Sequence, residues 1–203
     1  MRVFLAGATG VIGSRLLPLL VAAGHEVAGT TRSPERAGAV ERLGGSPVVV
    51  DVYDVEALTA AVVAFRPDLL MHQLTDLPDD VAAIPARAAA NSRIRTEGTA
   101  NLLAAARAAG TPRVLAQSIA WTPPGRGDAV AWHEAAVLDA GGVVVRYGQL
   151  YGPGTYYETE PPADPRIHVD DAARLTVPLL SAEPGVVVLA DPVHLVACPS
   201  SAA

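Results

Sequence analysis

Lysine is missing from this chain: its fifteen basic side chains are all arginine. That absence excludes a Schiff-base lysine, the phosphate loop GxxxxGK[ST], and a tyrosine activated by a neighbouring ammonium group. Arginine without lysine, beside abundant alanine, glycine and proline, matches GC-rich coding, and the chemical exclusions hold whatever its origin. Aromatic residues make up only 4%, so a core must be built from Val, Leu, Ile and Ala. Cysteine occurs once, as Cys198, which rules out an internal disulfide and fits a reducing compartment. The net charge is −6 with no basic cluster, which argues against a nucleic-acid partner. The apolar stretch at 16–23 follows Arg15 and three glycines, and no apolar run approaches the ~18 residues that span a bilayer. A cytoplasmic location without a membrane partner is therefore expected. His25, His72, His168 and His194 lack ligand spacing, so no metal site is expected.

What is present is a globular chain of 203 residues, half hydrophobic and 18% charged. Short apolar runs at 3–6, 27–30, 47–50, 69–72, 114–117, 143–146 and 186–189 read as buried strands. Segments 11–23, 34–43, 55–65, 84–109 and 130–140 between them read as helices. Ile12, Leu16, Leu19, Leu20 and Ala23 recur at helical spacing, and Arg93 with Glu97 forms an i,i+4 pair. Apolar strands separated by crossover helices predict an α/β fold: a doubly wound parallel sheet with helices on both faces. One domain is expected over 1–192, with loops 119–130 and 151–168 on the substrate side and 193–203 as a loose tail.

Directly after the first strand stands Gly7-Ala8-Thr9-Gly10-Val11-Ile12-Gly13, followed by a helix. A tight turn needs Gly7, close approach of backbone to a pyrophosphate needs Gly10, and helix–strand packing needs Gly13. The helix start then offers free N–H groups and the positive end of its dipole to phosphates. In an alternating chain, this strand–turn–helix predicts a Rossmann-type dinucleotide site.

The GxxGxxG spacing resembles the extended and atypical short-chain dehydrogenase/reductase superfamily, the epimerase/dehydratase-like proteins. Further matches follow in order along most of the chain. Asp51-Val52-Tyr53-Asp54 resembles the family's adenine-contacting segment, and Met71-His72-Gln73-Leu74 its segment after the fourth strand. Asn91 with Gly98-Thr99-Ala100-Asn101-Leu102-Leu103 is similar to its "N…GTxNLL" helix. Gln117-Ser118 matches the serine-bearing strand, 146–154 the "R…YGPG" segment, and 168–173 "HVDDxA". The resemblance implies that Gly7, Thr9, Gly10, Val11, Ile12, Gly13, Arg32, Asp51, Val52, Gln73, Leu74 and Gln149 hold the cofactor. It also implies a homodimer formed through the helices at 84–109 and 130–140, and a small-molecule substrate.

An NAD enzyme places a carboxylate about twenty residues beyond the glycine turn, on the ribose 2′-hydroxyl. Here that position is Thr31, followed by Arg32, with Arg36 nearby. A guanidinium pairs with a 2′-phosphate, so NADP is expected over NAD. The family's proton-handling Tyr-x-x-x-Lys is missing. With Glu134 at the glutamate that follows the family's lysine, the lysine position is Val130 and the tyrosine position Arg126. Ser118 remains to hydrogen-bond a substrate carbonyl, with Tyr147 and His133 as candidate replacement acids and Tyr151 belonging to the turn. From Gly154 to Arg166 is only twelve residues, where the family builds a substrate-covering lobe, so a reduced C-terminal lobe is expected.

Three functional classes stay open. One is an NADP-dependent oxidoreductase or epimerase acting on a small carbonyl or hydroxyl substrate with a non-standard proton donor. The second is a non-redox cyclase, isomerase or lyase in secondary metabolism. The third is a catalytically silent NADP-binding protein.

Overall fold

The computed structural model describes residues 1–121, 127–192 and 196–198. Strands β1 (Arg2–Ala6), β2 (Glu26–Thr31), β3 (Ser46–Val49), β4 (Leu69–His72), β5 (Arg113–Ile119), β6 (Val143–Tyr147) and β9 (Gly185–Leu189) run parallel in one sheet. β10 (Val196–Cys198) joins it antiparallel, giving the order β10-β9-β6-β5-β4-β1-β2-β3. The order reverses between β1 and β4, which opens a crevice at the carboxyl ends of the strands. β7 (Gln149–Tyr151) and β8 (Arg166–His168) form a separate parallel pair.

Side-chain alternation divides the core into two layers. Val3, Leu5, Val143, Val145 and Tyr147 lie in the layer of helices α1 (Gly13–Ala22), α2 (Ala37–Arg42) and α7 (Val169–Thr176), with Leu16, Leu17, Val40 and Ala172. Phe4, Ala6, Val114, Ala116 and Val144 face α3 (Val55–Phe65), α5 (Thr99–Ala108) and α6 (Gly127–Asp139), meeting Leu58, Val62, Leu102 and Val137. Each fully buried leucine contributes about 1.5–3 kcal/mol, and the aliphatic sides of both layers explain how so few aromatics suffice.

Three expectations change. The helix expected over 84–109 is divided into a 3₁₀ turn (Pro85–Arg87), α4 (Ala88–Arg93), a π turn (Ile94–Gly98) and α5. Gly98, at the end of the π turn, keeps helical backbone angles, and a Cβ there would meet Ile94 Cδ1 at 3.0 Å. The expected loose tail contains β10, which covers the edge of β9 that would otherwise present unpaired backbone groups. Residues 193–195 and 199–203 of that tail lie outside the described residues. The three-residue strands β7, which runs into the start of the expected loop 151–168, and β8, at that loop's end, are too short to show periodicity.

Candidate functional site

A cleft of about 980 Å³ runs along the carboxyl ends of the parallel strands. At one end, β1 delivers the chain into the glycine turn. Gly7 adopts φ +94°, favourable only for glycine, and its N–H donates to Thr30 Oγ1 at 3.0 Å. A Cβ on Gly13 would lie 2.0 Å from Gly7 O, so the first turn of α1 packs directly against the loop. The N–H groups of Val11 and Ile12 make no hydrogen bond among the described residues. This cradle of free backbone N–H groups at a helix start, beside the bare Cα of Gly10, fits a dinucleotide pyrophosphate. Arg15 secures it from below, donating to Asp170 Oδ1 at 2.7 Å, to Val11 O at 2.8 Å and to Pro153 O.

Two strands along the sheet, Ser118 ends the inner run of β5. It is fully buried, and its hydroxyl donates to Glu134 Oε1 at 2.5 Å. Arg146 holds the same carboxylate through both oxygens, Nε at 2.9 Å and Nη2 at 2.5 Å. Burial pushes the Glu134 carboxyl upward, but the hydrogen bonds from Arg146 and Ser118 and the Arg146 charge outweigh it and hold it below the usual range. The candidate carbonyl-binding hydroxyl is thus committed to an internal ion pair.

Behind Ser118 lies a closed chain of neutral groups. The Leu74 N–H donates to His72 Nδ1 at 3.2 Å, so His72 Nε2 carries the proton and donates to Thr99 Oγ1 at 3.1 Å. Thr99 in turn donates to His133 Nδ1 at 2.7 Å, and His133 Nε2 donates to Gln117 O at 2.9 Å. Burial, aided by the positive charge of Arg95, drops His133 to about 4. Burial takes His72 well below its ordinary value too. Every polar atom of both rings is used, and neither ring is charged at neutral pH.

Tyr147 faces the other layer. Its hydroxyl meets Thr176 Oγ1 at 2.7 Å, and Thr176 passes its own proton to Ala172 O at 2.7 Å, so Tyr147 is the donor in that contact. Burial pushes the phenol up to about 12. In register Ser118 pairs with Arg146 and Ile119 with Tyr147. Alternation therefore sends Ser118 and Arg146 toward α6 but Tyr147 toward α7.

Of the residues expected to hold the cofactor, Gly7, Thr9, Gly10, Val11, Ile12, Arg32, Val52, Gln73, Leu74 and Gln149 line the cleft. Gly13 acts from behind the turn, and Asp51 is exposed with Oδ1 accepting from the Tyr53 N–H at 3.0 Å. Ser118 and Tyr147 also line the cleft from opposite faces of the sheet, whereas His133 is packed behind it. Val130 lines the cleft, while Arg126 lies outside the described residues. Sequence reasoning missed Arg95, which lines the cleft and is only 5% exposed. Its signal was present: Asn91, Arg95, Thr99 and Leu102 recur on one helical face, opposite the Arg93–Glu97 pair. Among the described residues no group of His, Cys, Asp and Glu is arranged to hold a metal, and no helix is long and apolar enough to cross a membrane.

The fold is that of sugar-nucleotide epimerases. A Thermus thermophilus UDP-glucose 4-epimerase solved with NAD superposes with a TM-score of 0.77 at 22% identity, over 94% of this chain and 78% of that one. A Thermotoga maritima UDP-glucose 4-epimerase gives 0.75 at 17% identity, over 94% and 77%. In sequence, a Streptomyces protein named 3-diazoavenalumate denitrifying reductase is 42% identical over 185 residues, covering 77% of this chain. The chain spans 59% of that relative's length. A Stigmatella aurantiaca protein named 4-hydroxy-2-methyl-3-oxo-4-farnesyl-3,4-dihydroquinoline-1-oxide ketoreductase is 33% identical over 118 residues, 57% of this chain and 32% of its own length. Residues 3–128, more than half of the chain, match the NAD dependent epimerase/dehydratase family, and this chain belongs to that family.

Proposed function

We propose that this chain is an NADP-dependent reductase of a small organic electrophile, and that its reaction draws no proton from a tyrosine–lysine pair. One observation carries this reading: the cleft is lined by the glycine turn with its free N–H groups, but the chain has no lysine, and Val130 lines the cleft at the position that the resemblance gives to the family's lysine. The glycine turn and the Val11 and Ile12 N–H groups hold the pyrophosphate, and Arg32 and Arg36 receive the 2′-phosphate beside Thr31. Reduced nicotinamide supplies a hydride. The remaining acids are poor: Tyr147 sits near 12, both inner histidines are neutral, and Ser118 is held by Glu134.

Losing a general acid costs about 10²–10⁴ in rate when the acceptor is a ketone, whose oxygen must be protonated. The cost disappears for a cationic acceptor. A diazonium group accepts hydride, the bond between carbon and nitrogen breaks, and N₂ leaves with the charge neutralised; no protein proton is consumed. The name of the Streptomyces relative, a denitrifying reductase of a diazo compound, supports this class over the small carbonyl or hydroxyl substrate that the family pattern alone implies.

The test follows NADPH absorbance with an aryl diazonium salt and with matched aryl ketones, each corrected for its uncatalysed rate. Diazonium reduction to the arene with release of N₂ is expected to exceed ketone reduction by at least a hundredfold. Ketone turnover at an equal rate overturns the acid-free reading. Arg32→Ser is expected to weaken NADPH binding about tenfold, the scale of one charge-assisted contact, and to leave NADH unchanged; equal losses for both remove the NADP preference. A second reading, a binding protein without turnover, is favoured by the commitment of Ser118 to Glu134. Tight NADPH binding with no consumption against any acceptor would establish it.

A further inference from the structure

Arg95 lines the cleft without a hydrogen-bond partner for its buried Nη1 among the described residues. It sits in the π turn between α4 and α5, an insertion that often marks functional positions. Its neighbour Arg93 points outward and pairs with both oxygens of Glu97 at 2.6 and 2.8 Å. Arg95 points inward, 5% exposed, and Nη1 is buried with no hydrogen-bond partner among the described residues. Glu134, whose carboxylate charge acts on it, is already held by Arg146 and Ser118. The segment 122–126, outside the described residues, contains no acidic side chain. Burial lowers the guanidinium to about 10, which still leaves it charged at neutral pH.

A buried, unpaired cation is strongly destabilising, and a fold tolerates one where a ligand supplies the missing charge. Arg95 lines the cleft with Asn91, Ser92, Gln117 and Ser118. These belong to β5 and the adjoining helical run, whereas the glycine turn with Arg32 and Arg36 serves the cofactor's phosphates from β1 and β2. We propose that Arg95 anchors a carboxylate of the substrate, its planar fork of donors matching the two oxygens. The proposal rests on the cleft being the substrate cleft of the preceding section, but not on hydride transfer.

The test uses the full chain saturated with NADP⁺. Benzoate, cinnamate and 4-hydroxycinnamate, each beside its primary amide, are titrated by calorimetry. At least one acid is expected to bind tenfold or more tighter than its amide. Arg95→Met is expected to abolish that preference and to keep NADPH affinity within twofold. Without ligand, Arg95→Met is expected to melt at or above the wild-type temperature, because it removes an unpaired buried charge. Should Arg95→Met fail to fold, Arg95→Lys, which keeps the charge but loses the fork, is expected to lower the preference at least threefold. Equal binding of acids and amides by the wild type overturns the proposal, as does an acid preference that survives either substitution. Weakened NADPH binding with unchanged acid binding also overturns it, assigning Arg95 to the cofactor instead. Acid binding without NADPH consumption leaves the anchor standing and ends the reductase reading. Consumption that is indifferent to the carboxylate does the reverse.

Discussion

The two ends of the cleft are built by opposite means. At the glycine turn, seven consecutive residues do the work with backbone: the bare Cα atoms of Gly7, Gly10 and Gly13, free N–H groups and a helix end. At the Ser118 end, side chains from β5, α6 and β6 converge and satisfy one another before any ligand arrives, while Arg95 of the π turn has no hydrogen-bond partner for Nη1 among the described residues. A site made of backbone tolerates almost no added atoms, whereas a site made of side chains tolerates exchange of the residues that do chemistry. That difference explains how the family's proton-handling pair is replaced here while the cradle is kept.

The largest effect is expected where the comparison is sharpest. Gly13→Ala places a methyl 2.0 Å from Gly7 O, and the obstruction is backbone that has no rotamer to change. Overpacking typically costs about 1–3 kcal/mol and more where nothing yields. The variant should lose dinucleotide binding in calorimetry together with several degrees of melting temperature. A Gly13→Ala protein that melts and binds like the wild type would show that the turn is not the rigid half.

The Ser118 end should respond to protons instead. His133, lowered to about 4, and His72, lowered well below its ordinary value by burial, take up protons more readily when the chain is unfolded. Their contribution to stability is complete above the unfolded value near 6.5 and is lost as pH falls from there toward 4. Each histidine contributes a slope of about 1.4 kcal/mol per pH unit, so His133 alone accounts for about 3 kcal/mol across that window. Urea unfolding between pH 7 and 4.5 should show this slope, and His133→Gln should reduce it by about half. An unchanged slope would mean that the chain through Thr99 does not hold the rings neutral.

These two ends were unequally legible in the sequence. The parallel sheet and the glycine turn are local signals, carried by contiguous residues, and they survive in the structure nearly residue for residue. Nothing local reveals that Glu134 faces both Ser118 and Arg146, because that depends on the register of β5 against β6 and on the packing of α6. Arg95 lies between these extremes. Its helical face with Asn91 and Thr99 was readable, but the lack of a partner is a property of three-dimensional packing.

Parity within β6 settles the smallest of these effects. Arg146 and Tyr147 are adjacent, so one must face α6 and the other α7. Arg146 reaches Glu134, which leaves Tyr147 donating to Thr176 in the opposite layer. Gln73 Nε2 approaches the same hydroxyl at 3.5 Å, which links that hydroxyl toward the cofactor side. Tyr147→Phe removes the buried hydrogen bond to Thr176 and the long one from Gln73, and Thr176 still donates to Ala172 O, so about 1 kcal/mol of stability should be lost. Turnover of a cationic acceptor should stay within twofold of the wild type. A loss of about 10²–10⁴ would identify Tyr147 as the acid after all. The proton would then have to pass around the edge of the sheet through Gln73, and the separation of the two layers would no longer separate structure from chemistry.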